Sequence, residues 1–520
     1  MTDRRPLVRV LLLATVLTLA DADRGRAQAP APLATISVET ARRGAAIPRD
    51  FIGISLEVST AGQGIGAFQG AGAAAGPVEQ PVYALGHPGA PNRVYFRLLR
   101  NLGAGVLRLG GNSQDNTCWD KVHAPHPDAC EGELDSADLR LFAQAARGSG
   151  WPLIVGLNLK QNDASWALRE VTEGVAREIP VSLVFALEPG NEPDLFSRTP
   201  YRQRSYSPAD QVPEFLAHLR AFQADPVARR YAVAGPATCC PWRNARDLAV
   251  FLDGVGRDQL RWVTVHNYSA TTCGGQTLSI ARLLSRELMD GFDEEARPLV
   301  AVARERGSPI AMAETNSASC GGMPGVSNAF ASALWALDYA FTLAEDGFVN
   351  VAFHTSYRPS GGSSYNPVDT YGRQDAAGRW RYRNVAEPLY YAMYLFGRHA
   401  SGGQLLSATV ESAANVRAYA VSRCAGCAVK VFVLNKDTSA AGPVRVRLSD
   451  RMGAASLLLL SAPSLASLAP DVRLGGRQFD AAGSIAATAT TPVRPDAAGD
   501  YSFELPNAAI ALLTLAPARR

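Results

Sequence analysis

The sequence predicts an α/β protein built as a (β/α)8 TIM barrel with a C-terminal antiparallel β-sandwich domain. From about residue 50 to residue 400, short apolar runs alternate with helix-like segments, which is the pattern of βαβ units. The pattern repeats about eight times, which is the number of units in a barrel of this kind. After residue 400 the helix-like segments end, and short alternating runs follow between turn-forming residues.

The first 29 residues resemble an export signal. Basic residues precede the apolar run Val10–Ala20, and Ala27-Gln28-Ala29 offers a cleavage site of small residues. Cleavage after Ala22 is the alternative. Because the apolar run is too short to cross a bilayer, we expect no membrane span and a secreted or periplasmic protein.

The barrel is predicted to occupy residues 49–400. An open doubly wound sheet is the alternative, but Phe51-Ile-Gly-Ile-Ser lacks the glycine-rich phosphate turn expected after its first strand. The predicted strands are Phe51–Val58, Gly105–Gly111, Trp151–Leu159, Ser182–Leu187, Arg230–Gly235, Arg261–Tyr268, Pro309–Glu314 and Phe348–His354. The predicted helices are Val94–Leu102, Ser136–Arg147, Ala164–Glu178, Pro213–Gln223, Ala245–Leu252, a broken segment Thr277–Arg306, Ser327–Asp346 and Glu387–His399.

The β-sandwich domain is predicted to occupy residues 401–520 and to contain no helix. Within residues 30–48, Thr35–Ala41 is strand-like and no helix follows it. We therefore expect this N-terminal strand to pair with the C-terminal sheet. The clearest C-terminal strands are Arg417–Ser422, Ala428–Leu434, Val444–Leu448, Ser456–Leu460 and Ala509–Leu515.

Eight cysteines fit an oxidising compartment. Cys118 and Cys130 bracket a short loop, and Cys424 and Cys427 flank a tight turn, so both pairs are predicted to be disulfides. A C-x-x-C pair can also be redox-active or bind a metal, but here no helix follows it and the sequence has no second such pair. Disulfides are also expected for the other four cysteines, whose connectivity the sequence leaves open: Cys239, Cys240, Cys273 and Cys320.

Composition and charge exclude several classes of protein. The chain is 47% hydrophobic and 19% charged, which is typical of a globular protein rather than a disordered one. A net charge of +3 gives no long-range attraction for nucleic acid, so no such partner is expected. Cleavage of sulfated heparan would need clustered basic residues along a cleft, and only Lys160 and Arg169 suggest them.

Two carboxylates follow predicted barrel strands, where function gathers in this fold. Glu192 comes after the fourth strand and Glu314 ends the seventh. Three barrel units separate them, which places them on facing sides of one mouth. A single glutamate there would be interpreted as a surface or salt-bridged residue, but two facing carboxylates suit glycoside hydrolysis, in which one donates a proton and the other attacks the anomeric carbon.

These motifs resemble those of the clan A retaining glycosidases, and more narrowly those of glycoside hydrolase family 79, which contains the β-glucuronidases and heparanase. The resemblance covers nearly the whole chain after the signal. The matching motifs, in chain order, are Leu107-Arg-Leu-Gly-Gly-Asn-Ser, Val155-Gly-Leu-Asn158, Gly190-Asn-Glu-Pro-Asp-Leu-Phe, His266-Asn-Tyr268 and Glu314-Thr-Asn-Ser-Ala-Ser-Cys-Gly-Gly.

The resemblance implies a role for each matching residue. Glu192 would be the general acid/base and Glu314 the nucleophile, with carboxyl groups about 5 Å apart. Asn191 would bind the sugar 2-hydroxyl. His266 would also contact the substrate, and the alternative is that it is a packing histidine. The other implied substrate-binding residues are Glu57, Asn112 and Tyr268.

The sequence departs from the family pattern where the glucuronate carboxylate should bind. The tyrosine expected after the nucleophile is absent, and the stretch contains Ser319, Gly321 and Gly322, with Tyr365 as a candidate replacement. Backbone amides there can still bind an anion. We expect a retaining hydrolase that releases β-linked glucuronic acid from glycans without cofactor or metal. The alternatives are a neutral-sugar β-glycosidase and an inactive carbohydrate-binding barrel.

Overall fold

The computed structural model describes residues 32–61, 79–120, 130, 132–240, 242–356 and 363–518. The predicted signal segment, residues 1–29, lies outside this part of the chain. Within the described ranges, no helix is long and apolar enough to cross a membrane.

Eight parallel strands form the barrel, as predicted. They are ordered fourth-third-second-first-eighth-seventh-sixth-fifth, and a bridge from Leu187 to Val233 joins the fourth strand to the fifth. The prediction of the fold class is therefore confirmed. The strands are Ile52–Glu57, Val106–Gly110, Leu153–Leu157, Val184–Pro189, Ala234–Thr238, Trp262–Tyr268, Ile310–Asn316 and Asn350–Thr355.

The helices between the strands begin and end close to the predicted positions. Pro208–Ala224 begins five residues early, because Ser207 and Asp210 form a capping box ahead of the predicted start. The third predicted helix contains a π-helical stretch, Glu170–Val175. The α-helices are Val58–Ala61, Arg93–Asn101, Ser136–Ser149, Ala164–Arg169, Ala176–Glu178, Pro208–Ala224, Ala245–Val255, Ile280–Leu284, Arg286–Glu305, Phe330–Asp346 and Pro388–His399.

Several short strands and helices accompany the barrel and the C-terminal sheet. The antiparallel hairpin Val368–Gln374 and Trp380–Ala386 follows the eighth strand and is not predicted from the sequence. The other short strands are Gln80–Pro81, Gly86–His87, Ala90–Pro91, Thr117–Trp119 and Gly132–Leu134. The 3-10 helices are Gln114–Asn116, Val181–Leu183, Pro193–Arg198, Ala228–Arg230, Cys273–Gly275 and Ala469–Asp471.

The C-terminal domain is a ten-stranded sheet, and strands from both arms of the sheet share one apolar core. The N-terminal strand Ala34–Ala46 lies between Gln404–Glu411, to which it is antiparallel, and Gly442–Leu448, to which it is parallel. All other pairings are antiparallel. The remaining strands are Val416–Ser422, Val429–Asn435, Met452–Ser461, Arg473–Leu474, Thr491–Val493, Tyr501–Leu505 and Ala509–Pro517.

A fully buried helix joins the two domains. Every side chain from Phe330 to Ala344 is buried, which fits a helix that is apolar on all faces. Its one carboxylate in this stretch, Asp338, forms an ion pair with Lys436 and accepts a hydrogen bond from Tyr419, both in the C-terminal domain. Because each of these polar groups has a partner, their burial is compatible with a stable interface.

Six of the eight cysteines are paired. Cys118–Cys130 and Cys424–Cys427 are disulfides as predicted, and a third bridge joins Cys273 to Cys320. The expectation that all eight pair is wrong, because Cys239 and Cys240 are free. They are adjacent, and neighbouring α-carbons are closer together than an ordinary disulfide requires.

We predict that the unfolded, unreduced protein titrates with two thiols, of which one reacts rapidly in the folded protein. Cys240 is exposed, and a hydrogen bond with Cys239 lowers the pKa of its thiol to about 7, whereas Cys239 is buried. Thiolate is the reactive form. Substituting Cys240→Ser should leave a single slow thiol. Four or more thiols in the unfolded protein would contradict the pairing.

Candidate active site

Glu192 lies just beyond the fourth barrel strand, on a sharply turned backbone. Gly190 and Glu192 both adopt left-handed conformations, with φ of 84° and 49°. A side chain at position 190 would collide with Leu159, so glycine is required there. The Glu192 amide donates to the Ala237 carbonyl (2.8 Å), which anchors the turn to the fifth strand. A strained non-glycine residue of this kind is typical of functional sites.

Glu314 lies in the seventh strand, and both of its carboxylate oxygens accept hydrogen bonds. The Tyr268 hydroxyl donates to Oε1 (2.8 Å), and Arg108 Nη1 donates to Oε2 (2.8 Å). Glu314 is only 5% exposed, yet it lines a cavity at the barrel mouth. The two donors fix the orientation of this carboxylate.

The two glutamates face each other across a short gap. A carboxylate oxygen of Glu192, one of Glu314 and a ring nitrogen of His266 all lie within 4.8 Å of one another. Carboxyl groups about 5 Å apart suit a covalent glycosyl intermediate, whereas inversion needs about 6.5–9.5 Å to admit a water molecule.

The environment drives the pKa values of the two carboxyls apart. Burial raises the pKa of Glu192 well above its usual range, and the negative charges of Glu314 and Asp194 raise it further. Burial also raises the pKa of Glu314, but the positive charges around it, led by His354, outweigh burial and lower its pKa to about 2. Glu192 therefore retains its proton over a pH range in which Glu314 is ionised, as acid and nucleophile require.

Arg108 lies at the centre of the site, fully buried in the second strand. Its guanidinium donates to Glu188 Oε2 (2.6 Å), Glu314 Oε2 (2.8 Å), Asn191 Oδ1 (2.9 Å) and Ser55 Oγ (3.0 Å). Burial alone would lower the pKa of Arg108, but Glu188 and Glu314 outweigh it and raise the pKa. The arginine stays charged and holds side chains from the first, fourth and seventh strands in one network.

Glu57 lies beyond Glu314, at the end of the first strand. It accepts hydrogen bonds from the Asn112 amide (3.1 Å), the Ser113 amide (2.9 Å) and the Ser113 hydroxyl (2.7 Å). His354 lies between the two carboxylates, 3.6 Å from Glu57 and 3.6 Å from Glu314. Burial lowers the pKa of His354, but these carboxylates outweigh it and raise the pKa. A protonated His354 offsets the repulsion between them.

His266 contacts the acid/base candidate directly. The side chain is fully buried, and Nδ1 is 3.2 Å from Glu192 Oε1. Burial and the charge of Arg108 lower the pKa of His266 to about 4. At neutral pH the ring is therefore uncharged, so it places no positive charge beside Glu192 that would favour the ionised carboxylate.

The loop Ser319–Gly322, predicted to bind an anion, forms one wall of the cavity. Cys320, Gly321 and Gly322 have φ of 60°, 89° and 78°. The Ser319 amide donates to the Ala270 carbonyl (3.0 Å), so it is not free to bind a ligand. The amides of Cys320 and Gly321 donate to no other residue in the described part of the chain. Both residues line the cavity.

Tyr365 completes this wall from the loop after the eighth strand. Its ring is buried, with its centroid 6.2 Å from that of Tyr268 and 6.1 Å from that of His354. The Tyr365 hydroxyl is 3.3 Å from Ser356 Oγ. The Tyr365 side chain packs against Gly322 and therefore adds an aromatic ring to the loop side of the cavity.

The structure brings most of the predicted site residues into one cavity of about 940 Å³. Asn191 and Gly322 are the exceptions. Asn191 is held beneath the surface by Arg108 and by Asn112, to which its side-chain amide donates (3.5 Å). Gly322 packs against Ser327 and the Tyr365 side chain. The predicted residues that line the cavity are Glu57, Asn112, Glu192, His266, Tyr268, Glu314, Ser319, Gly321 and Tyr365.

Glu192, His266 and Glu314 could each offer one ligand atom to a metal ion. However, both oxygens of Glu314 already accept hydrogen bonds, one of them from the Arg108 guanidinium at 2.8 Å. A second cation would be repelled by this charge. These three side chains are therefore better suited to proton transfer and nucleophilic attack than to binding a metal ion.

Three important residues of the site are not predicted from the sequence: Arg108, Glu188 and His354. Arg108 carries a signal, because it is a lone charge inside the apolar run Val106–Gly110. His354 ends the predicted eighth strand, where function gathers in barrels. Glu188 is a lone charge within the fourth strand and would have been found as a partner for a buried arginine.

No family model matches the chain. Among curated proteins, a β-glucuronidase of Neurospora crassa is 27% identical over 328 residues, which cover 56% of this chain and 57% of that protein. A β-glucuronidase of Aspergillus niger is 26% identical over 306 residues, covering 54% and 56%. The chain thus spans a little over half the length of the curated relatives it matches.

Solved structures share the fold. A 4-O-α-L-rhamnosyl-β-D-glucuronidase from Fusarium oxysporum matches with a TM-score of 0.69 at 18% identity, over 92% of this chain and all of that one. A family 51 arabinofuranosidase from Xanthomonas axonopodis matches with a TM-score of 0.65 at 14% identity, over 93% and 100%. At these identities the likeness establishes the barrel and its accompanying β-domain.

Proposed function

We propose that this protein is a retaining glycoside hydrolase of family 79 that releases β-linked glucuronic acid from glycans or glycoconjugates. The observation that carries the proposal is the pair Glu192 and Glu314, whose carboxylates lie within 4.8 Å and whose pKa values are driven in opposite directions. The similarity to two fungal β-glucuronidases supports the choice of sugar.

In the first step, Glu314 attacks the anomeric carbon while Glu192 donates its proton to the leaving oxygen. The bond to the aglycone breaks and a covalent glycosyl–Glu314 ester forms. Arg108 and Tyr268 hold the attacking carboxylate in place, each at 2.8 Å. Such positioning converts a bimolecular reaction into an intramolecular one.

In the second step, Glu192 acts as a base and removes a proton from water. The water attacks the anomeric carbon, Glu314 leaves, and the product keeps the β-configuration. Once the ester has formed, Glu314 no longer carries the negative charge that helps to raise the pKa of Glu192. The pKa of Glu192 then falls, and the same residue becomes a better base than acid.

Recognition of the sugar carboxylate is assigned to the wall formed by the Cys320 and Gly321 amides and Tyr365. These are neutral donors, since that loop contains no Arg or Lys. A site built from hydrogen-bond donors rejects a neutral analogue because its donors lose their partner. This supports a glucuronide over a glucoside.

The test is the ratio of kcat/KM for nitrophenyl β-glucuronide to that for nitrophenyl β-glucoside. We expect a preference of about a hundred-fold or more for the glucuronide. The Tyr365→Phe variant, which removes one hydroxyl, should lose activity on the glucuronide while changing the glucoside rate little. If the glucoside or galactoside equals the glucuronide, the neutral-sugar alternative is correct.

We further propose that the protein is exported. The three disulfides suit an oxidising compartment.

A further inference from the structure

A second cavity, of about 540 Å³, lies between the barrel and the C-terminal domain. One wall is the end of the helix Pro388–His399, and the other is the turn between Val416–Ser422 and Val429–Asn435. Just after the helix, the Gly402 amide donates to the Ile47 carbonyl (3.0 Å), ahead of the first barrel strand. The cavity therefore lies at the amino-terminal end of the barrel, opposite the candidate active site.

Four basic side chains line this cavity: Arg398, His399, Arg423 and Lys430. Among the described residues of its lining, none carries a carboxylate. Lys430 Nζ donates to the His399 carbonyl (3.3 Å) and lies 3.4 Å from its Nδ1. The side chain of neither arginine forms an ion pair or hydrogen bond within the described ranges. Their donors are free to bind a ligand.

The basic groups act on one another. Burial lowers the pKa of Lys430, and the charges of Arg423 and Arg398 lower it further. Burial and the same arginines, together with Lys430, lower the pKa of His399 to about 4. Each positive charge thus makes protonation of its neighbours less favourable, and an anion bound in the cavity would offset this repulsion.

The turn that presents Arg423 is held rigidly. The disulfide Cys424–Cys427 closes it, and Ser422 Oγ lies within hydrogen-bond distance of the Cys424 carbonyl (3.0 Å) and the Ala428 carbonyl (3.1 Å). A fixed backbone lowers the entropy lost when a side chain binds a ligand. The role of this disulfide would thus be to hold the backbone at Arg423 in place for a ligand, at the end of the barrel opposite Glu192 and Glu314.

We propose that this cavity is a non-catalytic binding site for a carboxylate-bearing sugar of an acidic glycan. Guanidinium groups form strong paired hydrogen bonds with carboxylates, and Tyr394 adds an aromatic face to the wall. The volume exceeds what an inorganic ion fills. The binding of an oxyanion rests on the side chains of Arg398, Arg423 and Lys430 alone. The choice of a glycan as its source rests on the proposed function, because an enzyme acting on glucuronides meets such polymers.

The test is native electrophoresis in gels that contain polygalacturonate or, as an uncharged polymer, dextran. Polygalacturonate should retard the wild-type protein, and the Arg398→Ala/Arg423→Ala variant should bind about ten-fold more weakly or worse. Arg229→Ala/Arg230→Ala removes the same charge from an exposed surface pair and serves as the control. It should bind within about two-fold of wild type. Both variants should keep wild-type kcat/KM on nitrophenyl β-glucuronide.

Equal retardation in the two gels, or equal losses in the two variants, would overturn the site. A thermal shift with inorganic phosphate that depends on Arg398 and Arg423, without retardation by polygalacturonate, would make it a free-ion site and refute the glycan assignment. Binding is measured without turnover. Failure of this inference is therefore distinguishable from failure of the proposed function.

Discussion

Substituting Glu314→Ala should lower kcat/KM on a nitrophenyl β-glucuronide by at least about ten-thousand-fold, because removal of a nucleophile abolishes the covalent route. Added azide should restore part of the rate, since a small anion fits the space left by the carboxylate. The product should then be the glycosyl azide of inverted configuration. Its configuration can be read by proton NMR.

The matched control for this variant is Glu287→Ala, which removes an exposed carboxylate paired with Arg282 on the barrel surface. It should keep wild-type activity. Because Arg108 keeps Glu188 as a partner, we expect Glu314→Ala to remain folded, which a thermal melt would check. If the variant instead forms a product of retained configuration at near the wild-type rate, Glu314 is not the nucleophile.

Substituting Glu192→Gln should slow alkyl glucuronides by about a hundred- to ten-thousand-fold while slowing dinitrophenyl glucuronide much less, because only poor leaving groups need a proton. Wild-type activity should fall as pH rises through the raised pKa of Glu192. Glutamine does not titrate, so this alkaline limb should disappear in the variant. The measurement is kcat/KM against pH for both leaving groups.

Asp194→Asn provides a comparison in the same segment. Asp194 accepts hydrogen bonds from the backbone amides of Cys239 and Trp242, and it therefore supports the loop around Glu192. Because its negative charge also raises the pKa of Glu192, its loss should shift the alkaline limb of activity to lower pH without removing that limb. If Glu192→Gln behaves in this way too, Glu192 is not the proton donor.

The sequence predicts the barrel well because eight apolar strands alternate with capped helices. It also points to Glu192 and Glu314, because one follows such a strand and the other ends one. Arg108 is harder to predict, since its partners Glu188 and Glu314 come from the fourth and seventh strands. Only closure of the barrel brings these distant strand positions together. The local pattern around Arg108 carries no information about them.

The disulfide Cys273–Cys320 and the hairpin after the eighth strand show a different limit of prediction from sequence. Cysteine count and spacing favour pairing, but they do not reveal that Cys273 and Cys320 meet across neighbouring loops at the mouth. The hairpin Val368–Gln374 and Trp380–Ala386 carries many polar side chains on its exposed faces. Neither strand is therefore a continuous apolar run like most of the barrel strands, which are buried along their whole length.

The position of the N-terminal strand imposes an order on folding. Ala34–Ala46 is made early during synthesis, yet its neighbours Gln404–Glu411 and Gly442–Leu448 follow the whole barrel. Thr40 and Ser449, which hydrogen-bond at 2.9 Å, are 409 residues apart. Such contacts form late because the entropy of closing a long loop must be overcome first. Until the C-terminal domain emerges, this strand exposes two unpaired edges, and the nascent chain is then most vulnerable to aggregation.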